Sequence, residues 1–345
     1  MDGIASTPGG LAVPAAVLCG LGAWVSPDVV TNESLTAAFD ISDEWIRKRT
    51  GILRRHVASP GTATSDLATE AGARALKSAG VEDVDALILA TTTPDHPCPA
   101  TAPDVASRLG LGTIAAFDIA AVCTGFIYAL ANGAGLISAG IADRVLVIGA
   151  DVFTSILDPR DAVNRAIFGD GAGAVVLRAG NSDELGAIGP FVLGSDGRGA
   201  DLITVPVGGS RTPYGGTELD EAGRYFVMQG QPVFRQAVEK MASITTQVLE
   251  LADWPISAMT WLVCHQANRR ILNAVATRLG IPAERCLDDI AEVGNTAAAS
   301  IPIALAHGAL NGDLHPGDGM VLAAFGGGLT WGATVLRWPD IVSNS

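Results

Sequence analysis

The chain has 345 residues, 48% of them hydrophobic and 17% charged; this length predicts two domains or one two-lobed one, and the composition excludes a disordered or fibrous chain. With 22 Lys and Arg against 36 Asp and Glu, the formal net charge is −14, which argues against general nucleic-acid or anionic-membrane binding, since both need a basic footprint. The five cysteines are an odd number without a Cys-x-x-Cys pair, so free thiols in a reducing cytoplasm are expected rather than a disulfide framework or a zinc site.

The start, Met-Asp-Gly, lacks a positive region, so the apolar stretch 11–25 is read as an entering strand and turn and not as a secretion signal. A helix is predicted over 65–79 and strands over 86–93 and 144–148. The longest apolar run, 114–142, is long enough to span a membrane. It holds Asp118, Asn132 and four glycines, and it reads as a buried strand over 115–122 followed by a helix over 125–137. Continuous apolar strands between amphipathic helices predict an α/β fold with a sheet covered on both faces.

The strands also recur. The segments at Asp85, Asp143 and Gly173 resemble those at Met259, Asp318 and Gly332, in the same order. The second match has an offset of 175 residues and the third one of 159. The pattern predicts two related halves, 1–181 and 182–345, meeting near residues 179–183.

Cys123 ends the strand-like AFDIAAV and precedes the helical spacing of GFIYAL. A thiol at a helix start feels the helix dipole and free N–H groups, which lower its pKa; the alternative is an inert buried cysteine. Cys19, Cys98, Cys264 and Cys286 lack that setting. His265 closes another strand and precedes a new helix, a place that serves a site at a sheet's carboxyl edge, whereas His56, His96, His307 and His315 read as solvated. Asn295, in EVGNTAAAS, is a site residue or a plain Gly-Asn turn. The glycine run in FGGGLTWG, 325–332, offers oxyanion-binding N–H groups or only a tight turn. GDGAG, 169–173, leads into a strand and not a helix, so dinucleotide binding is not expected.

In combination, AAVCTGFIYAL, HQANRRI, GNTAAASIPIAL and AFGGGLTWGA, with DEWIRKRTGI and IFGDGAGAVVL, closely resemble the β-ketoacyl-acyl carrier protein synthase III family over residues 15–338. The resemblance implies a thiolase-like fold of five α-β-α-β-α layers, usually a homodimer, with an acyltransferase activity and no metal or cofactor beyond acyl-CoA as substrate. It implies that Cys123 takes an acyl group from a thioester, and that His265 and Asn295 hold the enolate formed when malonyl-acyl carrier protein loses carbon dioxide. The N–H groups of Cys123 and Gly327 would bind the oxyanion of the condensation. Trp45, Arg49 and Arg270 would contact coenzyme A; Cys98, Phe168, Leu202, Met228 and Phe234 would shape the acyl pocket; Arg235, Arg269, Arg270 and Arg278 would dock the carrier protein. One departure stands out. Relatives commonly carry an arginine for the adenine end of coenzyme A where this chain has Ala162, with Arg160 and Arg165 nearby.

The expected product is a 3-oxoacyl-acyl carrier protein that starts fatty acid or polyketide synthesis in the cytoplasm. Competing readings are transfer of the acyl group to an alcohol or amine, an acyl donor borne on a carrier protein, a non-catalytic subunit, and a papain-like hydrolase. Intact Cys123 argues against the subunit, Asn295 against the alcohol or amine acceptor, and the absence of a Cys-Gly-Ser-Cys-Trp signature against the hydrolase.

Overall fold

The computed structural model of the chain describes residues 13–215 and 223–342. The N-terminal residues behind the secretion-signal reading lie outside the described residues, as do the extreme ends of the two predicted halves.

Two sheets form the frame. The first contains β1 (Ala15–Val25), β2 (Ala86–Ala90), β3 (Ala115–Ile119), β4 (Arg144–Asp151) and β5 (Gly171–Gly180), in the order β1-β5-β4-β2-β3. The second contains β6 (Ile188–Ser195), β7 (Trp261–Cys264), β8 (Gly319–Gly326) and β9 (Thr330–Arg337), in the order β6-β9-β8-β7. In both, the last strand of the half runs antiparallel between two others, while β2 and β7 pair in parallel with β4 and β8. The registers agree as well. Leu89 pairs with Ile148, and Cys264 pairs with Ala323, so one offset of 175 residues carries the first pair onto the second. Only β3 lacks a full counterpart; beside β7 a single bridge from Leu262 to Cys286 takes its place.

The helices follow the same plan. Between the sheets lie α3 (Gly125–Ser138) and α7 (Ser300–Leu310), whose sequences are apolar nearly all round because both faces meet a sheet. Outside the first sheet packs α2 (Thr64–Ala79), stopped by Gly80 in the left-handed conformation. Outside the second pack α5 (Gly230–Leu251) and α6 (Arg269–Leu279). Five layers result, α-β-α-β-α, as expected. Strands β2, β4 and β8 are buried almost throughout, which is why their sequences do not alternate. The run 114–142 becomes β3 and α3, and no helix among the described residues is long and apolar enough to cross a membrane. Two short helices, α1 (Asp43–Thr50) and α4 (Ala162–Ile167), stand at the mouth of the cleft described next.

Candidate active site

Each central helix is entered through a short 3-10 turn, Val122–Thr124 before α3 and Ala297–Ala299 before α7. Both turns begin on a residue with left-handed backbone, Val122 at φ 48° and Ala297 at φ 47°, again 175 positions apart. For a non-glycine residue this costs on the order of 1–3 kcal/mol, a strain that accumulates at functional sites. The two turns pack against each other at the centre of the molecule.

Their equivalence exposes the one difference that matters. At the end of β4, Asp151 accepts the Ala298 N–H on Oδ2 at 3.0 Å, and Oδ1 accepts the Thr92 N–H at 2.7 Å. The position equivalent to Asp151 at the end of β8 is Gly326, and the amide equivalent to that of Ala298 belongs to Cys123. A methyl group on Gly326 would fall 2.9 Å from the Cys123 nitrogen. With no side chain there, Gly326 offers the Cys123 N–H no carboxylate of the kind that Asp151 gives Ala298. Thr330 fixes the surrounding backbone, its Oγ1 donating within reach of the Gly327 carbonyl at 3.0 Å and the Ala121 carbonyl at 3.3 Å.

Asn295 is held by its amide oxygen, and His265 by its Nδ1. The Asn295 Oδ1 accepts the Ala297 N–H at 3.0 Å, which turns its NH₂ group to the cleft. Its backbone is locked by the bonds from Asn295 N to Ile167 O, 2.9 Å, and from Gly169 N to Asn295 O, 3.0 Å. The Nδ1 of His265 lies 2.7 Å from the Ser300 Oγ. Burial drives the His265 pKa down to about 3, so the ring is neutral at every physiological pH.

Cys123, His265 and Asn295 line one cleft of about 950 Å³. Beside Cys123 its wall is the aromatic cluster Phe153, Phe168 and Phe226, with Met228 and Ile203. Phe153 and Phe168 are stacked with centroids 4.3 Å apart. Toward the mouth lie Trp45, Arg49, Phe234, Arg235 and Arg270, with Asp161, Val163 and Asn164 of the α4 region opposite. The Arg49 guanidinium sits 5.0 Å from the Trp45 ring centre.

Other expected residues stand elsewhere. Leu202 is half-buried against the second-half core and does not line the cleft. Cys98 is exposed and outside the cleft of its own chain. Gly327 lies one residue beyond the cleft-lining Gly326, and a methyl group on it would fall 3.1 Å from Ile203 and 3.3 Å from Val122. Arg269 is paired with Asp288 at 2.6 Å, and Arg278 is exposed at the far end of α6. Arg160 is bound to Asp158, and neither it nor Arg165 lines the cleft.

Two expectations need correction. The helix start does not leave Cys123 with a lowered pKa: burial among the aromatic rings pushes the thiol up, the Asp151 carboxylate adds to the rise, and the residue's own N–H only partly opposes it. The resting nucleophile is therefore the thiol, which must lose its proton as the acyl group arrives. His56 and His307 are not solvated; both are half-buried, with Nδ1 on Ser26 O and on Asp289 respectively. The sequence reading also passed over Lys48, which with Trp45, Arg49 and Arg270 lines a second cavity of about 510 Å³ at the mouth. Its only available signal was a third cation in DEWIRKRT, which a helix surface carries without function just as often.

Residues 117–197 match the family model described as 3-oxoacyl-[acyl-carrier-protein (ACP)] synthase III, and residues 249–338 match the model of its C-terminal part. The chain is 57% identical over 329 residues to "Beta-ketoacyl-[acyl-carrier-protein] synthase III 3" of Streptomyces coelicolor, covering 95% of this chain and 98% of that one. A crystal structure of 3-oxoacyl-(acyl carrier protein) synthase III from Pseudomonas aeruginosa PAO1 superposes with a TM-score of 0.89 at 52% identity, covering 95% of this chain and 99% of the other. The priming β-ketosynthase from the R1128 polyketide biosynthetic pathway gives 0.86 at 31% identity, over 96% and 99% of the two chains.

Proposed function

The chain belongs to the β-ketoacyl-acyl carrier protein synthase III family, and from that premise we propose how its own residues divide the reaction between them. The enzyme is an acyltransferase that condenses an acyl starter with malonyl-acyl carrier protein, at the entrance to fatty acid or polyketide synthesis. The Cys123 sulfur attacks the starter thioester, preferably that of coenzyme A; the carbon–sulfur bond to the donor breaks, and the thiol proton leaves with the departing thiol. Malonyl-acyl carrier protein then loses carbon dioxide, and the electron pair of the broken bond becomes an enolate. His265 Nε2–H and the Asn295 NH₂ group bind the enolate oxygen. Neutral donors suit this step because carbon dioxide loss, not proton abstraction, makes the carbanion. The enolate carbon attacks the acyl-Cys123 carbonyl, whose oxyanion is received by the N–H groups of Cys123 and Gly327. Collapse expels the Cys123 thiolate, which takes a proton from solvent to restore the thiol, and releases 3-oxoacyl-acyl carrier protein.

The observation that carries this reading is the Cys123 amide beside the side-chain-free Gly326, in a cleft lined also by His265 and Asn295. At the mouth, Trp45 offers a ring face to adenine, and Lys48, Arg49 and Arg270 surround a cavity suited to phosphate. Arg235 and Arg270 at the rim, with Arg269 and Arg278 along α6, are assigned to the acidic carrier protein. A cytoplasmic homodimer of two thiolase-like halves per chain, with Cys98 reaching the partner's acyl pocket, completes the proposal. The test separates the half-reactions. His265→Ala and Asn295→Ala should still form the acyl-enzyme but fail to condense it, and loss of loading in both would overturn the division of roles.

A further inference from the structure

We propose that Ser300 is a positioning residue that fixes the tautomer of His265, holding the ring hydrogen on Nε2, where the enolate oxygen arrives. The inference rests on the reading of His265 as an enolate donor and extends it to a residue outside the cleft lining.

The argument is a count of hydrogens. Ser300 is the first residue of α7 and is 2% exposed. Its Oγ accepts the Gln266 N–H at 3.2 Å and lies 2.7 Å from His265 Nδ1. Among the described residues no other acceptor is hydrogen-bonded to its hydroxyl. The hydroxyl therefore donates to Nδ1, which must present its lone pair, and the hydrogen of the neutral ring resides on Nε2. The Gln266 amide that holds Ser300 in place is itself anchored: the side chain donates to Cys264 O at 2.8 Å and Leu287 O at 3.1 Å and accepts the Asp289 N–H at 3.0 Å.

The chain supplies two comparisons. At the offset of 175 residues, His265 and Ser300 correspond to Ala90 and Gly125, which also meet: a methyl on Gly125 would lie 2.9 Å from the Ala90 Cβ. The same contact is thus small and apolar in the first half and a hydroxyl–imidazole pair in the second, which carries His265. His307 shows what a carboxylate does instead. Burial pulls its pKa down, but the hydrogen bond from Nδ1 to Asp289 Oδ2, 2.9 Å, and the carboxylate's charge together raise it above the usual value. A carboxylate on His265 Nδ1 would take the hydrogen there and leave Nε2 a base; a hydroxyl leaves Nε2 a donor.

Nitrogen-15 NMR of histidine-labelled protein, with the His265 signals assigned by their loss in His265→Asn, tests the tautomer directly. The wild-type protein should show an unprotonated Nδ1 and a protonated Nε2; a hydrogen on Nδ1 would overturn the proposal whatever the activity. In Ser300→Ala the acyl-enzyme should form at a rate within about twofold of wild type. Condensation kcat should fall about 10- to 100-fold with little change in KM for malonyl-acyl carrier protein, as for a donor present but misdirected. Wild-type condensation in Ser300→Ala, or equal losses in loading and condensation, would refute the assignment while leaving the condensing function itself intact. Absence of loading in the unaltered enzyme would instead refute that function.

Discussion

Replacement of Gly326 by alanine is the sharpest perturbation available, because it puts bulk at the position that Asp151 fills in the opposite half. The added methyl would lie 2.9 Å from the Cys123 nitrogen and 3.1 Å from both the nitrogen and the Oγ1 of Thr124. Carbon needs about 3.5 Å or more from such neighbours, so something must move by roughly half an ångström. The turn and the glycine run are tied together by Thr330 and Thr124, whose hydroxyls are 3.0 Å apart, and by the bond from Thr124 Oγ1 to Thr330 O. Neither side can retreat without breaking these bonds, and overpacking of this kind costs about 1–3 kcal/mol of stability. The larger effect falls on the reaction. The methyl occupies the approach to the Cys123 N–H, and loss of one oxyanion donor lowers a rate about 10²- to 10³-fold, or about 3–4 kcal/mol. On the proposed division of roles, loading and condensation both pass through that oxyanion, whereas malonyl decarboxylation uses His265 and Asn295. Rapid-quench measurement of acyl-enzyme formation, with release of labelled carbon dioxide from malonyl-acyl carrier protein, separates the two. Loading should fall at least 100-fold, with decarboxylation within about threefold of wild type. A Gly326→Ala enzyme that loads at the normal rate would refute the oxyanion assignment.

Three further predictions concern the rim, the starter and pH. Ala162→Arg should lower the KM for acyl-CoA up to about thirtyfold, the worth of an arginine stacked on a flat ring, without changing that for a carrier-bound acyl donor; an unchanged KM, with a strong effect of Arg165→Ala, would show that the clamp is built differently. Starters longer or more branched than acetyl should be preferred, each buried methylene adding about 0.8 kcal/mol, and Cys98→Phe should abolish that preference; equal use of acetyl and six-carbon starters by the wild type would count against it. The His265 pKa, about 3 in the folded protein against about 6.5 unfolded, means that the unfolded chain binds more protons in that window. Its contribution to stability is complete above pH 6.5 and lost as pH falls toward 3. Denaturant unfolding of His265→Asn should therefore weaken less between pH 6.5 and 4 than that of the wild type, and parallel curves would contradict the buried neutral ring.

Much of this architecture is legible in the sequence for physical reasons. A buried parallel strand cannot alternate, so LILA in β2 and VLVIGA in β4 reveal themselves as continuous apolar runs, and their recurrence near 262 and 321 predicts the doubled fold. Cys123, His265 and Asn295 are legible because each sits where a strand or sharp turn hands over to a helix. What stays hidden is whatever depends on register. That Asp151 fills the amide of Ala298 while Gly326 offers that of Cys123 no carboxylate requires the 175-residue correspondence residue by residue, and neither an aspartate nor a glycine at a strand end announces it. The direction of the Cys123 pKa is hidden too, because the helix start is local in the sequence while the burial that outweighs it comes from Phe153, Phe168 and Phe226, in three separate segments. The arginines named as docking residues look alike in sequence, yet Arg235 and Arg270 line the cleft while Arg278 ends the same helix on which Arg270 begins.

The central claim is that Cys123 carries the acyl group, and intact-protein mass spectrometry tests it most directly. After brief exposure to a panel of acyl-CoA esters, the wild-type enzyme should gain the mass of one acyl group per chain, located on Cys123 by peptide mapping and discharged as 3-oxoacyl-acyl carrier protein on addition of malonyl-acyl carrier protein. Cys123→Ala should gain none. An acyl adduct that persists in Cys123→Ala, or one on Cys98, Cys19 or another residue that malonyl-acyl carrier protein discharges equally well, would contradict the account.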